Sequence, residues 1–401
     1  MHLDRERVLQ ETLKYEELYT SISRQLGEFS ENTNFNSPQQ VAELLYDRLG
    51  FSELKDFRGN PIRTAADGRK TDIATITGLK ARNQRQRRFL ALYAEYSRID
   101  AALSKNLRFF RAIVLEKEDA VFYANLNQTV TKTHRLSSTG KPIYLEAFGK
   151  EKGIQFQNIP REFKPCFSAR RDGWKVGEAD GGQLEFRVAA FLGQDKQAIH
   201  DIVNGVDVHA VTAQTMTEAG QETGRQDAKS RTFKPLYGGS SGTDAEQAYF
   251  QLFKEKYSGV TDTQETWKSE VEKTKQLRTI TGLIFYWPDT KWEGSGKKPY
   301  LRNTTSICNF PVQSFATADI IPIAVVYTWY GMKERGMETF LVNTIHDSVI
   351  SEVHPDETEQ FKEVCTWAFE DCVYEYLNKV YGIQFNVPLA TEIKTGEYWN
   401  G

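Results

Sequence analysis

Apolar residues at positions 89, 92, 93, 96, 99, 103, 107 and 110 recur every three or four residues, the spacing of one helix face, and predict a long helix from Arg87 to Phe110. Residues 1–26 keep a similar period in a strongly charged setting and predict a first helix. In "NFNSPQQVAELLYDRLGF", Ser37 stands at an N-cap, Pro38 in the first turn, and Val41, Leu44 and Leu45 form the apolar stripe. Residues 54–74, rich in Gly, Asp, Arg and Thr, predict a mobile tip between helices.

The pattern turns strand-like after residue 112. "AIVLEKEDAVFYANLNQTVTKTHRLSSTG" predicts a hairpin and loop, and the Gly- and Lys-rich residues 140–153 a surface insertion. "WKVGEAD" reads as a strand running into two glycines, followed by a helix that buries Leu184, Phe186, Val188 and Phe191. Residues 205–300 are mostly helical in pattern, with breaks at "YGGSSGTD" and "WEGSGKKPY". The last hundred residues predict a helix over 312–335, the paired run "FLVNTIHDSVISEVH", a helix over 355–380 and a closing strand in "NVPLATEIKTG". Together these elements describe an α+β protein, an antiparallel sheet backed by helices.

Composition narrows the class. With 401 residues, two or three subdomains are expected. Hydrophobic residues make up 39% and charged residues 26%, which is globular, and no run of about 18 apolar residues suggests a membrane span. The charged opening lacks the apolar centre of a secretory leader, so a cytoplasmic setting is expected. Cys166, Cys308, Cys365 and Cys372 form no CxxC pair, which favours buried free thiols over zinc ligands or disulfides. A net charge of −3 argues against a nucleic-acid partner, but its distribution argues for one. Nine Lys or Arg lie between Leu79 and Arg111, against Glu95 and Asp100 alone, making either a solvated helix face or a phosphate grip.

Three segments carry candidate chemistry. In "TIHDSVISEV" the His346-Asp347 pair interrupts an alternating hairpin, either as an ordinary Asp-Ser turn or as a carboxylate aimed into a cleft. Asp180, from a separate strand, would supply a second carboxylate, with the Gly181 carbonyl accessible beside it. Such a set suits magnesium, which takes few protein ligands, and two ions about 4 Å apart serve phosphoryl transfer. In "GRQDAKSRTFKPLYGG", Arg225, Lys229, Phe233 and Tyr237 recur every four residues and follow one helix face for about 18 Å. Cations at one end and rings at the other could bind a triphosphate and stack on a base, although an amphipathic surface helix has the same pattern and Pro235 argues against a regular second half.

These segments resemble motifs A, B and C of family A DNA polymerases. Motif A is matched by Asp180, Gln183, Glu185 and Arg187 in "DGGQLEFR", motif B by Arg225, Lys229, Phe233, Tyr237 and Gly238, and motif C by Ile345, His346 and Asp347. "HRLSS", "QNIPR", "DVHAVTA", "NFPVQ" and "VPLATEIKTGEYW" match in the same order, so the resemblance covers nearly the whole chain. It implies a right-hand polymerase fold: a lead-in over 1–26, thumb over 27–111, palm over 112–204 with motif A, fingers over 205–300 with motif B, and palm over 301–401 with motif C. The implied activity is template-directed addition of dNTPs to a primer, with two Mg²⁺ ions, replaceable by Mn²⁺, on Asp180, Asp347 and the Gly181 carbonyl. Glu185, beside Gln183 in the dNTP site, would be the steric gate against a ribose 2′-hydroxyl. His209, Arg225 and Lys229 would meet the triphosphate, Phe233 the sugar and base, and Tyr237 with Gly238 the templating base. Arg135, Asn309, Gln313 and His346 would contact primer-template DNA, with Gln157 and Asn158 nearby, and the basic helix would grip phosphates as a thumb.

The sequence departs from the family pattern in places. Two glycines follow Asp180 where bulky and hydroxyl residues are usual, Lys234 and Pro235 replace small or apolar residues, and Ser348 follows Asp347 where bacterial enzymes often carry Glu. No acidic cluster of the 3′-5′ exonuclease type is evident, so proofreading is expected to lie outside this chain, with a separate exonuclease or processivity factor as candidate partners. The short form suits a phage enzyme acting in the bacterial cytoplasm. A single-subunit RNA polymerase and a non-catalytic DNA-binding homologue are the alternatives; Glu185 and the "HRLSS" and "QNIPR" matches oppose the first, the retained aspartates with Arg225 and Lys229 the second.

Overall fold

Asp4 accepts a hydrogen bond from the Arg7 N–H at 2.8 Å and so caps helix α1 (Arg5–Gly27). The structure, a computed structural model, describes residues 1–400 apart from 57, 58, 122, 240 and 295–298, and at 226, 229 and 230 the backbone only. Three predicted loops (54–74, "YGGSSGTD" and "WEGSGKKPY") therefore lie partly outside the described residues. The chain divides into two units, one formed by residues 2–122 and 142–154, the other by residue 1, 123–141 and 155–401.

In the first unit, α1 packs on α2 (Gln84–Ala102) and on α3 (Arg108–Glu116), which are joined by a π-helical turn, Leu103–Leu107. The predicted long helix thus exists and overruns its expected end. The strand expected from residue 112 is corrected at its start: Phe109, Phe110, Ile113 and Val114 are buried at helical spacing, and their packing overrides the β-preference of the Ile-Val pair. Pro38 opens the short helix Pro38–Ala42 as expected, with Ser37 at the cap position but making no side-chain capping bond. Residues 140–153 supply a small hairpin, Ile143–Leu145 with Lys150–Lys152. Part of the basic stripe is matched internally, Arg88 by Glu28 at 2.7 Å and Arg111 by Glu16 at 3.0 Å.

The second unit is built on a four-stranded antiparallel sheet of β1 (Lys175–Gly181), β2 (Phe340–Ile345), β3 (Ser348–Val353) and β4 (Thr391–Gly396), in the order β2-β3-β1-β4. β3 is buried at all its positions, as a central strand covered on both faces must be. Side chains alternate across β1: Gly177 and Ala179 face one way, Glu178 and Asp180 the other. Helix α4 (Leu184–Leu192) follows the double glycine and buries Leu184, Phe186, Val188 and Phe191, as predicted. A short helix, Lys196–Val203, precedes α5 (Val208–Glu218) and α6 (Arg225–Leu236), and two more follow, Asp244–Lys256 and Ser258–Thr274. Two strand pairs depart from the helical expectation, Gln276–Arg278 with Ile284–Tyr286, turning at Gly282 (φ +95°), and Trp292–Glu293 with Tyr300–Leu301.

Helix α7 (Thr304–Ser314) continues through a π-helical turn, Phe315–Ile320, into α8 (Ile321–Glu334). Its 31 residues are long and apolar enough to cross a membrane by length and composition alone. Half of its most apolar stretch is buried inside the fold, where Val312, Phe315, Ala316, Ile320, Ile321 and Ala324 join the core. Helices α9 (Thr358–Trp367) and α10 (Val373–Tyr381) complete the layer behind the sheet. α9 lies so close that a Cβ on Gly177 would sit 2.6 Å from the Phe361 ring and 2.7 Å from Val353. All four cysteines are buried and free.

Candidate active site

Sheet register creates the acidic centre. Asp180 is the penultimate residue of β1, paired with Ser348 on one side and Glu392 on the other. β2 and β3 join through the two-residue loop His346-Asp347, with Ile345 opposite Ser348. His346 takes the left-handed backbone (φ +58°) that tight hairpins require at this position. The Gly181 N–H donates to the Asp347 carbonyl at 3.1 Å, tying the loop to the end of β1. Residues distant in sequence therefore meet at adjacent strand ends.

Electrostatics mark the same place. Burial first, then the charge of Asp347, push the Asp180 carboxyl up to about 7, and Glu178 and Glu392 add to the effect. Burial also raises Asp347, against the pull of a backbone hydrogen bond and of Arg135. Two half-buried carboxylates that disfavour each other's ionisation are matched to a cation. Among the described residues no group of three or more His, Cys, Asp or Glu could hold a metal, and Asp180 with Asp347 could meet a cation only if backbone oxygen, water or substrate completed its shell. Such an open set would suit a hard divalent cation that keeps water ligands, and not a closed zinc site.

Gln183 adopts the left-handed conformation (φ +52°) as the N-cap of α4, which puts Glu185 in the first helical turn. Gln313 donates from Nε2 to Glu185 Oε1 at 3.5 Å. Burial raises the Glu185 carboxyl, while Arg135 and the Gln313 bond oppose the rise. Burial lowers the His346 imidazole, and the charge of Arg135 adds to it. The charge of Arg135 thus acts on Glu185, His346 and Asp347 at once, and its buried Nε lacks a hydrogen-bond partner in the structure. Arg187 donates from Nε to the Gly182 carbonyl at 2.7 Å and also bonds the Pro388 carbonyl, bracing the glycine turn.

The cation-aromatic set lies on α6, which contacts α4. Pro235 is accommodated as the penultimate residue of the helix, where its missing N–H removes one bond from the last turn, a correction to the sequence expectation. His209 meets Phe233 edge-on, ring centres 5.1 Å apart, and Phe233 lies 6.4 Å from Tyr237. Arg225 pairs with Asp207 at 2.5 Å, and Asp207 also caps α5 by accepting the N–H groups of His209 and Ala210. Gly238 has φ +71°, and a Cβ there would stand 2.8 Å from the Cys308 sulfur. The backbone of Lys229 is helical, but its side chain lies outside the described residues.

Gln157 uses its amide on backbone, donating to the Leu136 carbonyl at 2.8 Å and accepting from the Ser138 N–H at 3.0 Å. Asn158 donates to Gln155, and the Oδ1 of Asn309 is buried without a partner. Sequence reasoning missed Glu178, Lys164, Glu392 and Asp207. The signal for Glu178 was a charge in the middle of a central strand, and for Asp207 a capping residue directly before a helix.

A palm-like antiparallel sheet carrying two carboxylates at neighbouring strand ends, beside helices with cations and rings, belongs to the right-hand polymerase fold. The family model for DNA polymerase family A matches residues 5–401, and the chain is a member of that family. It is 24% identical over 406 residues to DNA polymerase I of Lactococcus lactis subsp. cremoris, covering 96% of this chain and 42% of the relative. It is 26% identical over 385 residues to the thermostable DNA polymerase I of Thermus aquaticus, covering 91% and 42%. The chain thus spans about two-fifths of the length of the curated relatives it matches. Its fold is similar to the POL domain of Pol1 from M. smegmatis, solved as a complex with DNA primer-template and dNTP, with a TM-score of 0.73, 20% identity, and coverage of 100% of this chain and 67% of that one.

Proposed function

We propose that this chain is a template-directed DNA polymerase domain that adds dNTPs to a primer 3′-hydroxyl. The observation that carries the reading is the Gly181–Asp347 backbone bond at 3.1 Å, which holds the ends of the two acidic segments together. Asp180, Asp347 and the Gly181 carbonyl would hold two Mg²⁺, with Mn²⁺ as a substitute; when bound, these ions supply charge stabilisation at the attacking and leaving oxygens.

The protein groups do the positioning. Arg135 opposes protonation of Asp347 and Glu185, keeping carboxylate available where both roles require it. His209, Arg225 and Lys229 neutralise the triphosphate, and Phe233, held edge-on by His209, borders the sugar and base. Glu185, anchored by Gln313 and backed by Gln183, would occupy the space of a 2′-hydroxyl and so reject ribonucleotides. Tyr237 and Gly238 border the templating base. Arg135, Asn309, Gln313 and His346 contact the primer-template, with Gln157 and Asn158 nearby, and Gln157 also ties the "HRLSS" loop through Leu136 and Ser138. In this reading the sheet is the palm, 205–300 the fingers and 27–111 the thumb. A cytoplasmic setting, a phage source and a separate exonuclease or processivity factor belong to the same proposal.

Primer extension with dNTPs and rNTPs tests it. Wild type is expected to extend with dNTPs, Asp347→Ala to lose extension, and Glu185→Ala to accept rNTPs more readily. Extension that survives Asp347→Ala refutes the site; unchanged sugar choice in Glu185→Ala removes the gate and restores the RNA polymerase alternative.

A further inference from the structure

Glu178 is a carboxylate that the polymerase reading leaves unused. It precedes Asp180 by two residues on β1, so both side chains leave the same face of the strand. It is 7% exposed, yet both of its oxygens are engaged. Oε1 accepts from Lys164 Nζ at 3.1 Å and from Ser348 Oγ at 3.2 Å, and Oε2 accepts from the Trp399 indole N–H at 2.8 Å. Ser348 is the residue after Asp347 and the sheet partner of Asp180. Lys164 also lies 4.2 Å from the centre of the Trp399 ring. Lys164, Glu178, Asp180, Glu392 and Lys394 line a cavity of about 270 Å³ beside the acidic centre.

A stability role alone explains this poorly. Burying an ion pair costs desolvation that an apolar pair of the same shape avoids. Here the extra negative charge also sits beside two carboxylates that already repel each other. The arrangement makes physical sense if that charge serves the cations the carboxylates are built to hold.

We propose that Glu178, matched by Lys164, is a positioning residue for the cation site: it clamps Ser348 and thereby the Asp347 loop, and it deepens the negative potential that divalent ions meet. This rests on the polymerase reading. The role requires opposite effects from its two partners. Removing the carboxylate charge leaves Lys164 uncompensated near the cations, whereas removing Lys164 leaves the potential as negative as before or more so.

The test is Mn²⁺ binding, read by electron paramagnetic resonance, to the full chain with chain-terminated primer-template and a dNTP, alongside melting temperature. Glu178→Gln is expected to weaken Mn²⁺ binding by about 10- to 100-fold, the range for outer-shell partners of metal ligands. Lys164→Met is expected to bind Mn²⁺ at least as tightly as wild type, and the double variant to return towards wild type. Glu178→Gln binding within about twofold of wild type, or weakening in both single variants together with lower melting temperatures, overturns the proposal. Wild type that binds no Mn²⁺ and extends no primer overturns the polymerase reading itself, a result separable from either.

Discussion

Asp180→Asn should make the metal-free protein more stable, and by an amount that depends on pH. The carboxyl moves from its ordinary value of 3.8 up to about 7 through burial and the nearby charge of Asp347. At about 1.4 kcal/mol per pH unit, three units correspond to about 4 kcal/mol. The sign follows from proton binding: between pH 4 and 7 the folded state holds the Asp180 proton more tightly than the unfolded chain, so metal-free stability falls as pH rises through that window. Asn cannot ionise and escapes the loss. In EDTA, urea unfolding followed by intrinsic fluorescence should show variant and wild type nearly equal at about pH 4 and the variant ahead by up to about 4 kcal/mol at about pH 8. Mg²⁺ should raise the wild-type midpoint at the higher pH and the variant's far less, because ligand binding to the folded state alone is what stabilises. Parallel pH profiles with equal Mg²⁺ responses would show that Asp180 lies outside a crowded acidic site.

Gly177→Ala should destabilise by about 1–3 kcal/mol, the usual cost of overpacking, because the new Cβ would stand 2.6 Å from the Phe361 ring; Phe361→Leu in the same chain should recover part of the lost melting temperature, and an unchanged melting temperature in the single variant would refute the contact. Asp207→Ala removes both the α5 cap and the Arg225 partner. It should cost about 1 kcal/mol of stability and raise the KM for dNTP more than it lowers kcat, and a KM equal to wild type would remove Asp207 from positioning Arg225.

The helices of the first unit were legible because burial there follows a simple period, and the aromatic stripe through Phe89, Tyr93 and Tyr96 faces its own core. The sheet strands were legible as segments, since "WKVGEAD" and "FLVNTIHDSVISEVH" alternate or turn in recognisable ways. Where local pattern and packing disagreed, packing prevailed: Ile113 and Val114 stayed helical, and 276–278 paired with 284–286. Candidate chemistry followed the same division. Asp180, Glu185, Arg225 and Asp347 could be named from motif spacing, whereas Gln157 proved to be engaged with backbone and Asp207 to hold two elements at once.

By itself, the sequence determined which residues carry charge, which stretches can be helix or strand, and which family the chain joins, because those properties reside in composition and short-range spacing. Only the tertiary structure decided that Ser348 lies opposite Asp180, that Glu178 shares its oxygens among Lys164, Ser348 and Trp399, and that the charge of Arg135 acts on Glu185, His346 and Asp347. Register and burial arise from contacts between residues far apart in the chain, and it is burial, with the neighbouring charge, that lifts the Asp180 carboxyl away from its ordinary range.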